Sequence, residues 1–226
     1  MEFDKYVKML KAMLGGSVVS LEVFFLTLLF AIPLALPIAM GRMSKNKLLS
    51  GSTNIFLLII RGTPLMLQLL VVYFGPGIFV RWLNSMGYEV AFVWNRFTAA
   101  IIALSINYSA YFAEIYRGGI EAIPKGQYEA AKVLGFTPVQ TFFKIVLPQV
   151  IKRIVPAMGN EVITLVKDTS LAQVIGVVEL FRVAYNFASS RVSVAPLFVA
   201  GVFYFFMNWV VSFTFEKLEK KLSYYR

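Results

Sequence analysis

VVSLEVFFLTLLFAIPLALPIAM, residues 18–40, is a run of 23 residues with a single charge, Glu22, and it is followed closely by Arg42, Lys45 and Lys47. In helical form, at about 1.5 Å per residue, it is long enough to cross the roughly 30 Å hydrocarbon core of a bilayer. The basic residues at its carboxyl end put that end in the cytoplasm, because Lys and Arg accumulate in cytoplasmic loops.

Composition agrees over the whole chain. Of 226 residues, 58% are hydrophobic and 15% charged, with a mean hydropathy of +0.71. Average soluble domains have roughly 45–50% and about 25%, and only a lipid-facing surface accommodates the difference. The net charge of +10 does not point to nucleic acid, since no basic stripe is interleaved with stacking aromatics on a soluble domain. The basic residues gather instead in connectors: Arg42 to Lys47, Arg117 to Arg153, and Lys217 to Arg226. The chain has no Cys and no His, which excludes disulfides, thiolate or imidazole catalysis and the usual zinc sites.

Further spans are expected over 55–80, 97–116, 151–167 and 192–215, with the first over 18–41. The second is interrupted near its start by Arg61, Gly62 and Pro64 and near its end by Gly75, Pro76 and Gly77. The fourth is the weakest by hydropathy, because it contains Glu161 and is bounded by Arg153 and Lys167. Thr169 to Val178 is too short to cross and reads as a helix tucked into the bundle. Residues 1–16 read as an amphipathic helix lying on the membrane, with Phe3, Tyr6, Val7, Leu10 and Leu14 on one face. The region 118–150 is broken by Lys125, Lys132 and Lys144 and by Pro124, Pro138 and Pro148, so it reads as short helices on the cytoplasmic side. The expected fold is one all-α integral membrane domain over 1–226. It has about five transmembrane helices, an amphipathic N-terminal helix and a cytoplasmic helical loop, with the amino terminus outside and the carboxyl terminus in the cytoplasm.

Inside that loop stand Glu129-Ala130-Ala131, then Gly135 after three residues, Ile145 after nine more, and Leu147-Pro148. Gln127 to Leu134 is a good helix former, Gly135 suits a left-handed exit, and Pro138 suits the first position of a new helix. This spacing matches EAA-x3-G-x9-I-x-L-P and resembles the coupling signature of ABC importer membrane subunits. The resemblance implies that Glu129, Ala130, Ala131 and Gly135 belong to a coupling helix that docks on an ATP-binding cassette ATPase. No phosphate-cradling G-x-x-x-x-G-K-[ST] occurs in the sequence, so ATP and Mg would belong to that partner and the chain itself holds no cofactor and is no enzyme.

Two more stretches, Arg61-Gly62-Thr63-Pro64-Leu65-Met66-Leu67-Gln68 and Lys167-Asp168-Thr169-Ser170-Leu171, look like segments of polar amino-acid permeases of the arginine, lysine and histidine type. The resemblance covers about residues 15 to 220. It implies a bacterial cytoplasmic membrane, pairing with a copy of itself or with a related permease, and an extracellular solute-binding protein that delivers an amino acid.

A carboxylate at a helix centre costs about 2.5–3.5 kcal/mol on insertion scales, so an intramembrane Glu faces a cavity or a partner. Glu161 shares a helical face with Thr164 and Asp168, with Asn160 adjoining. Asn107, Ala110, Glu114 and Gly118 share another. If the faces meet, Glu114 and Glu161 line one pocket complementary to a cationic side chain, and Gly118 leaves room for it. The backbone loosened around Thr63 offers N–H groups to an α-carboxylate, and Leu67 and Ser190 are further candidates. Structural alternatives stay open: Glu114 pairing with Arg117, Glu161 with Arg61, and Asp168 serving a turn. So does a different transport class, a proton-coupled secondary carrier with Glu114 and Glu161 as protonation sites. Arg182 and Arg191 are external candidates for contact with a binding protein.

Overall fold

The computed structural model describes residues 2–92 and 95–222, with side chains from residue 4 onward. Phe3, at the start of the expected amphipathic face, and Arg226, at the end of the last basic cluster, lie outside the described side chains. Among the described residues all regular structure is helical.

Helix α1, Glu2–Arg42, is one continuous helix of 41 residues. This corrects the expectation of a separate amphipathic segment, because residues 2–16 form the opening turns of the first span. The reason lies at Gly16, which reads as a boundary in sequence. A Cβ there would stand 2.9 Å from the Leu180 Cα, so this glycine is a packing residue at a helix crossing. The face that carries Tyr6, Leu10 and Leu14 remains exposed, while Met9 and Met13 turn inward.

Helices α2, Lys47–Gly62, and α3, Leu65–Ser85, are separated at Thr63 and Pro64, as the sequence leads one to expect. The expected break at Gly75 to Gly77 does not occur, since α3 passes through Pro76 to Ser85. An isolated Pro inside a membrane helix is tolerated where local adjustment or neighbours satisfy the freed carbonyl. Helix α4, Arg96–Glu121, starts from an Asn95 cap whose side chain accepts the Phe97 N–H at 2.9 Å.

α4 is the central helix of the bundle, with thirteen residues buried. It packs along α1 through small residues: Ala31, Ala35 and Ala39 on one side, Ala110 and Ala113 on the other. Lipid gives helices no hydrophobic reason to associate, so small residues that let backbones approach are what such a pair needs.

The cytoplasmic-type connector holds α5, Lys125–Val133, and α6, Pro138–Thr141, which runs through a π-helical turn, Phe142–Val146, into α7, Leu147–Asp168. The expected loop is thus trimmed at both ends, because α4 runs to Glu121 and α7 begins at Leu147. A short 3-10 helix, Thr169–Ile175, follows α7. Then come α8, Leu180–Arg191, and α9, Ala195–Leu222, with Val192 in the left-handed region between them. The last span therefore starts three residues later than expected.

Four single helices are long and apolar enough to cross a membrane, and a fifth span results if the bent pair 138–175 and 180–191 counts as one. α9 has only Pro196 and Ala200 buried, and Phe198, Phe205, Phe206 and Trp209 stand exposed along it. In a bilayer such a surface faces lipid or another membrane chain.

Candidate functional site

Helix α2 ends at Gly62 because Pro64 has no N–H to continue the ladder. Arg61, in its last turn, points to α4, where a guanidinium nitrogen lies 3.6 Å from Glu114. The same guanidinium stacks over the Tyr111 ring, 5.4 Å from its centroid. Glu114 is more closely held by Arg117, one turn along α4, at 2.9 Å and through a second nitrogen at 3.2 Å. The pairing of Glu114 with Arg117 considered from sequence is what the structure contains. Arg117 also bonds Glu121 at the helix end.

Glu161, on α7, is part-buried and makes no hydrogen bond or ion pair with another described residue, though it lies in the field of Arg61 and Asp168. Asp168 accepts a 2.7 Å hydrogen bond from Tyr108, which is 2% exposed on α4. This bond pins the end of α7 to α4 across 60 residues of sequence. Asp168 thus has a structural partner, and of the other two carboxylates Glu114 pairs with Arg61 while Glu161 only feels its field.

On the outer side of α7, Asn160 and Thr164 are exposed, and Thr164 donates to the Asn160 carbonyl at 3.0 Å. Exposed polar groups at mid-span in a membrane helix call for a water-lined path or a second chain beside them. Gly118 is exposed, with no atom within 4 Å of an added Cβ. Leu67 is exposed on the first turn of α3. Thr63, at the break, donates to the Ile59 carbonyl at 2.8 Å and accepts from Gln68 at 2.9 Å.

Ser190 does not join this group. It lies next to Arg191, which donates to the Lys5 carbonyl at 3.1 Å, whereas Tyr116, beside Glu114 and Arg117 on α4, reaches the Ile32 carbonyl. Lys5 and Ile32 are separated along α1 by about 40 Å of helix at 1.5 Å per residue. Arg191 is also occupied by the Tyr6 and Phe187 rings, at 5.7 and 5.4 Å.

From sequence Glu179 stands in an external segment with no substrate role, and its part in packing was not foreseen. It is fully buried and caps α8 by accepting the Phe181 and Arg182 N–H groups at 2.7 and 2.8 Å. It also accepts from Tyr204 on α9 at 2.9 Å and from Ser20 on α1 at 3.4 Å. Its position directly before a helix was the available signal, since Asp and Glu favour helix starts.

α5 leaves Glu129 and Ala130 exposed and buries Ala131. Gly135 follows at φ +78°, the left-handed exit read from sequence. Thr137 and Gln140 then form a reciprocal cap on α6, with Pro138 at its first position. Tyr128, Val133, Leu134 and Val139 project outward from this connector, an apolar patch bordered by Lys125 and Lys132.

The profile of the family described as binding-protein-dependent transport system inner membrane component matches residues 31–224. The chain is 36% identical over 217 residues to the nopaline transport system permease protein NocM of Agrobacterium fabrum (strain C58), covering 94% of this chain and 88% of that protein. It is 32% identical to the arginine transport system permease protein ArtQ of Bacillus subtilis (strain 168), covering 99% and 98%. A crystal structure of an amino acid ABC transporter with histidines superposes with a TM-score of 0.82 at 34% identity, over 98% of this chain and 99% of that one. The MetNI methionine ABC transporter in an inward-facing conformation shares the fold alone, with a TM-score of 0.69 at 17% identity.

Proposed function

The chain belongs to the binding-protein-dependent transport system inner membrane component family, the membrane subunits of ABC importers, and from that premise we propose that its cargo is a basic amino acid held by Glu161. The protein is a multi-pass membrane permease subunit of an amino-acid importer, and ATP hydrolysis is the work of separate ATPase subunits.

The single observation that carries the cargo assignment is Glu161, a part-buried carboxylate whose oxygens no other described residue engages. An unpaired carboxylate at membrane depth is costly, and a cationic ligand removes that cost. Glu114 is already held by two arginines, so it contributes mainly by positioning Arg61. Asn160, Thr164, Gly118 and Leu67 form the exposed wall beside Glu161. At the start of α3 the Leu67 and Gln68 N–H groups bond the Pro64 carbonyl, which leaves those of Leu65 and Met66 to suit the ligand's α-carboxylate. The arginine and histidine named for two relatives support this reading.

The exposed polar face of α7 supports a second permease subunit around a shared path. The patch on α5 supports docking of the ATPase, which would carry ATP and Mg. An extracellular binding protein would deliver the ligand, with the amino terminus outside and the carboxyl terminus in the cytoplasm of a bacterial inner membrane. In the cycle so proposed, closure of the ATPases moves α5, and α7 carries that motion through Leu147 to the Glu161 wall.

The test is uptake of labelled arginine, lysine, histidine and glutamine into proteoliposomes holding this permease, its ATPase and its binding protein. The reading expects uptake that needs internal-face ATP, favours the cationic set and ignores an imposed proton gradient. Uptake driven by the gradient without ATP would overturn it.

A further inference from the structure

The break at Pro64 leaves carbonyls without their helical donors, those of Ile60 and Thr63 among them. The Ile60 carbonyl would take the N–H of residue 64, which proline lacks, and the Thr63 carbonyl would take that of Leu67, which instead bonds Pro64 at 3.0 Å. Unsatisfied carbonyls at membrane depth are costly enough that some side chain must answer them. Gln68 does so. Its two amide N–H groups are shared among the Ile60 carbonyl at 2.7 Å, the Thr63 hydroxyl at 2.9 Å and the Thr63 carbonyl at 3.1 Å. Its amide oxygen accepts from Asn107 at 3.0 Å. Asn107 is 5% exposed, on the rigid central helix, one residue before the Tyr108 that anchors Asp168. The side chain therefore closes a chain of bonds from α4 to the broken backbone.

We propose that Gln68 is a positioning residue, which clamps the α2–α3 break to α4 and so fixes the first turn of α3 where a ligand carboxylate meets it. The ligand part rests on the amino-acid reading of the site. Gln68 acts on the carboxylate end that all amino acids share, whereas Glu161 acts on the cationic end. The two residues therefore separate in experiment.

The chain has no native cysteine, so Leu58→Cys and Val71→Cys place spin labels at two exposed positions flanking the break in the full permease–ATPase complex. The expected distance distribution is narrow in the ligand-free complex and at least about twofold broader with Gln68→Met, an apolar near-isostere that donates nothing. Asn107→Leu, which leaves the Gln68 donors in place, gives a smaller broadening and serves if Gln68→Met fails to assemble. Binding of labelled arginine to the complex without its binding protein weakens about tenfold in Gln68→Met. Competition by agmatine, the same cation without the carboxylate, does not change. An unchanged width in both variants overturns the clamp. An equal weakening for arginine and agmatine overturns its action on the carboxylate. Should Glu161→Gln bind arginine as wild type does, the acidic site is wrong, and the width comparison still decides the clamp.

Discussion

Ala131→Glu is expected to lower ATP-driven arginine uptake by about a hundredfold while arginine binding to the complex stays within about twofold of wild type, since a carboxylate forced against a packed face displaces the helix that carries it. Ala131 is 1% exposed between the exposed pair Glu129 and Ala130 and the outward-facing Val133. α5 is a helix of nine residues, too short to hold itself in water, so its position depends on this buried face. Its other anchor is a 3.1 Å bond between Gln127 and Gln149 of α7. Moving α5 re-aims Tyr128 and Leu134, which the ATPase is proposed to grip, but leaves the α2–α4–α7 cluster alone. Uptake within about twofold of wild type would show that α5 is not the coupling element.

Gly119→Val is expected to remove most of the assembled complex from the membrane, while Gly118→Val, one residue away, leaves assembly at wild-type levels. A Cβ on Gly119 would run into the Ile154 side chain and stand 3.2 Å from the Val150 Cγ1. Both lie on α7 where it crosses α4. Overpacking a filled site costs about 1–3 kcal/mol and occasionally more, and here the space beside the glycine is filled by two β-branched side chains of the crossing helix, Ile154 and Val150. Gly118 turns outward and meets nothing. The measurement is the yield of monodisperse complex after detergent extraction. Equal yields for the two variants would contradict the described α4–α7 crossing.

These contrasts also mark what was legible in the sequence. Spans follow from apolar runs because lipid selects on hydropathy residue by residue, and the break at Thr63 follows from Pro64. The left-handed exit at Gly135 followed from the motif spacing. Gly16 misled because a glycine demanded by a crossing partner, Leu180, looks the same in sequence as one that ends a helix. Gly75 and Gly77 misled for a related reason: α3 is continued by its own ladder in a medium where leaving it is costly. Glu114 was legible together with Arg117, three residues on, but the partners of Asp168 and Glu179 were not. Asp168 meets Tyr108, and Glu179 meets Ser20 and Tyr204, across distances of 60, 159 and 25 residues that only tertiary packing sets. Gln68 was visible as an amide four residues after a helix-breaking proline, which is the spacing from which it can reach back to the freed carbonyls.

The wall beside Glu161 remains the centre of the account, and one substitution addresses it. Glu161→Gln keeps the volume and one acceptor oxygen of the side chain while replacing the other with an N–H donor and removing the charge. The measurement is binding of labelled arginine to the permease–ATPase complex, in wild type and in Glu161→Gln, with glutamine as an uncharged competitor. Arginine affinity is expected to fall by at least about thirtyfold, because a part-buried charge partner is lost, while glutamine competes equally well in both proteins. Equal arginine affinity in the two proteins would contradict the assignment of Glu161 to the cationic end of the cargo.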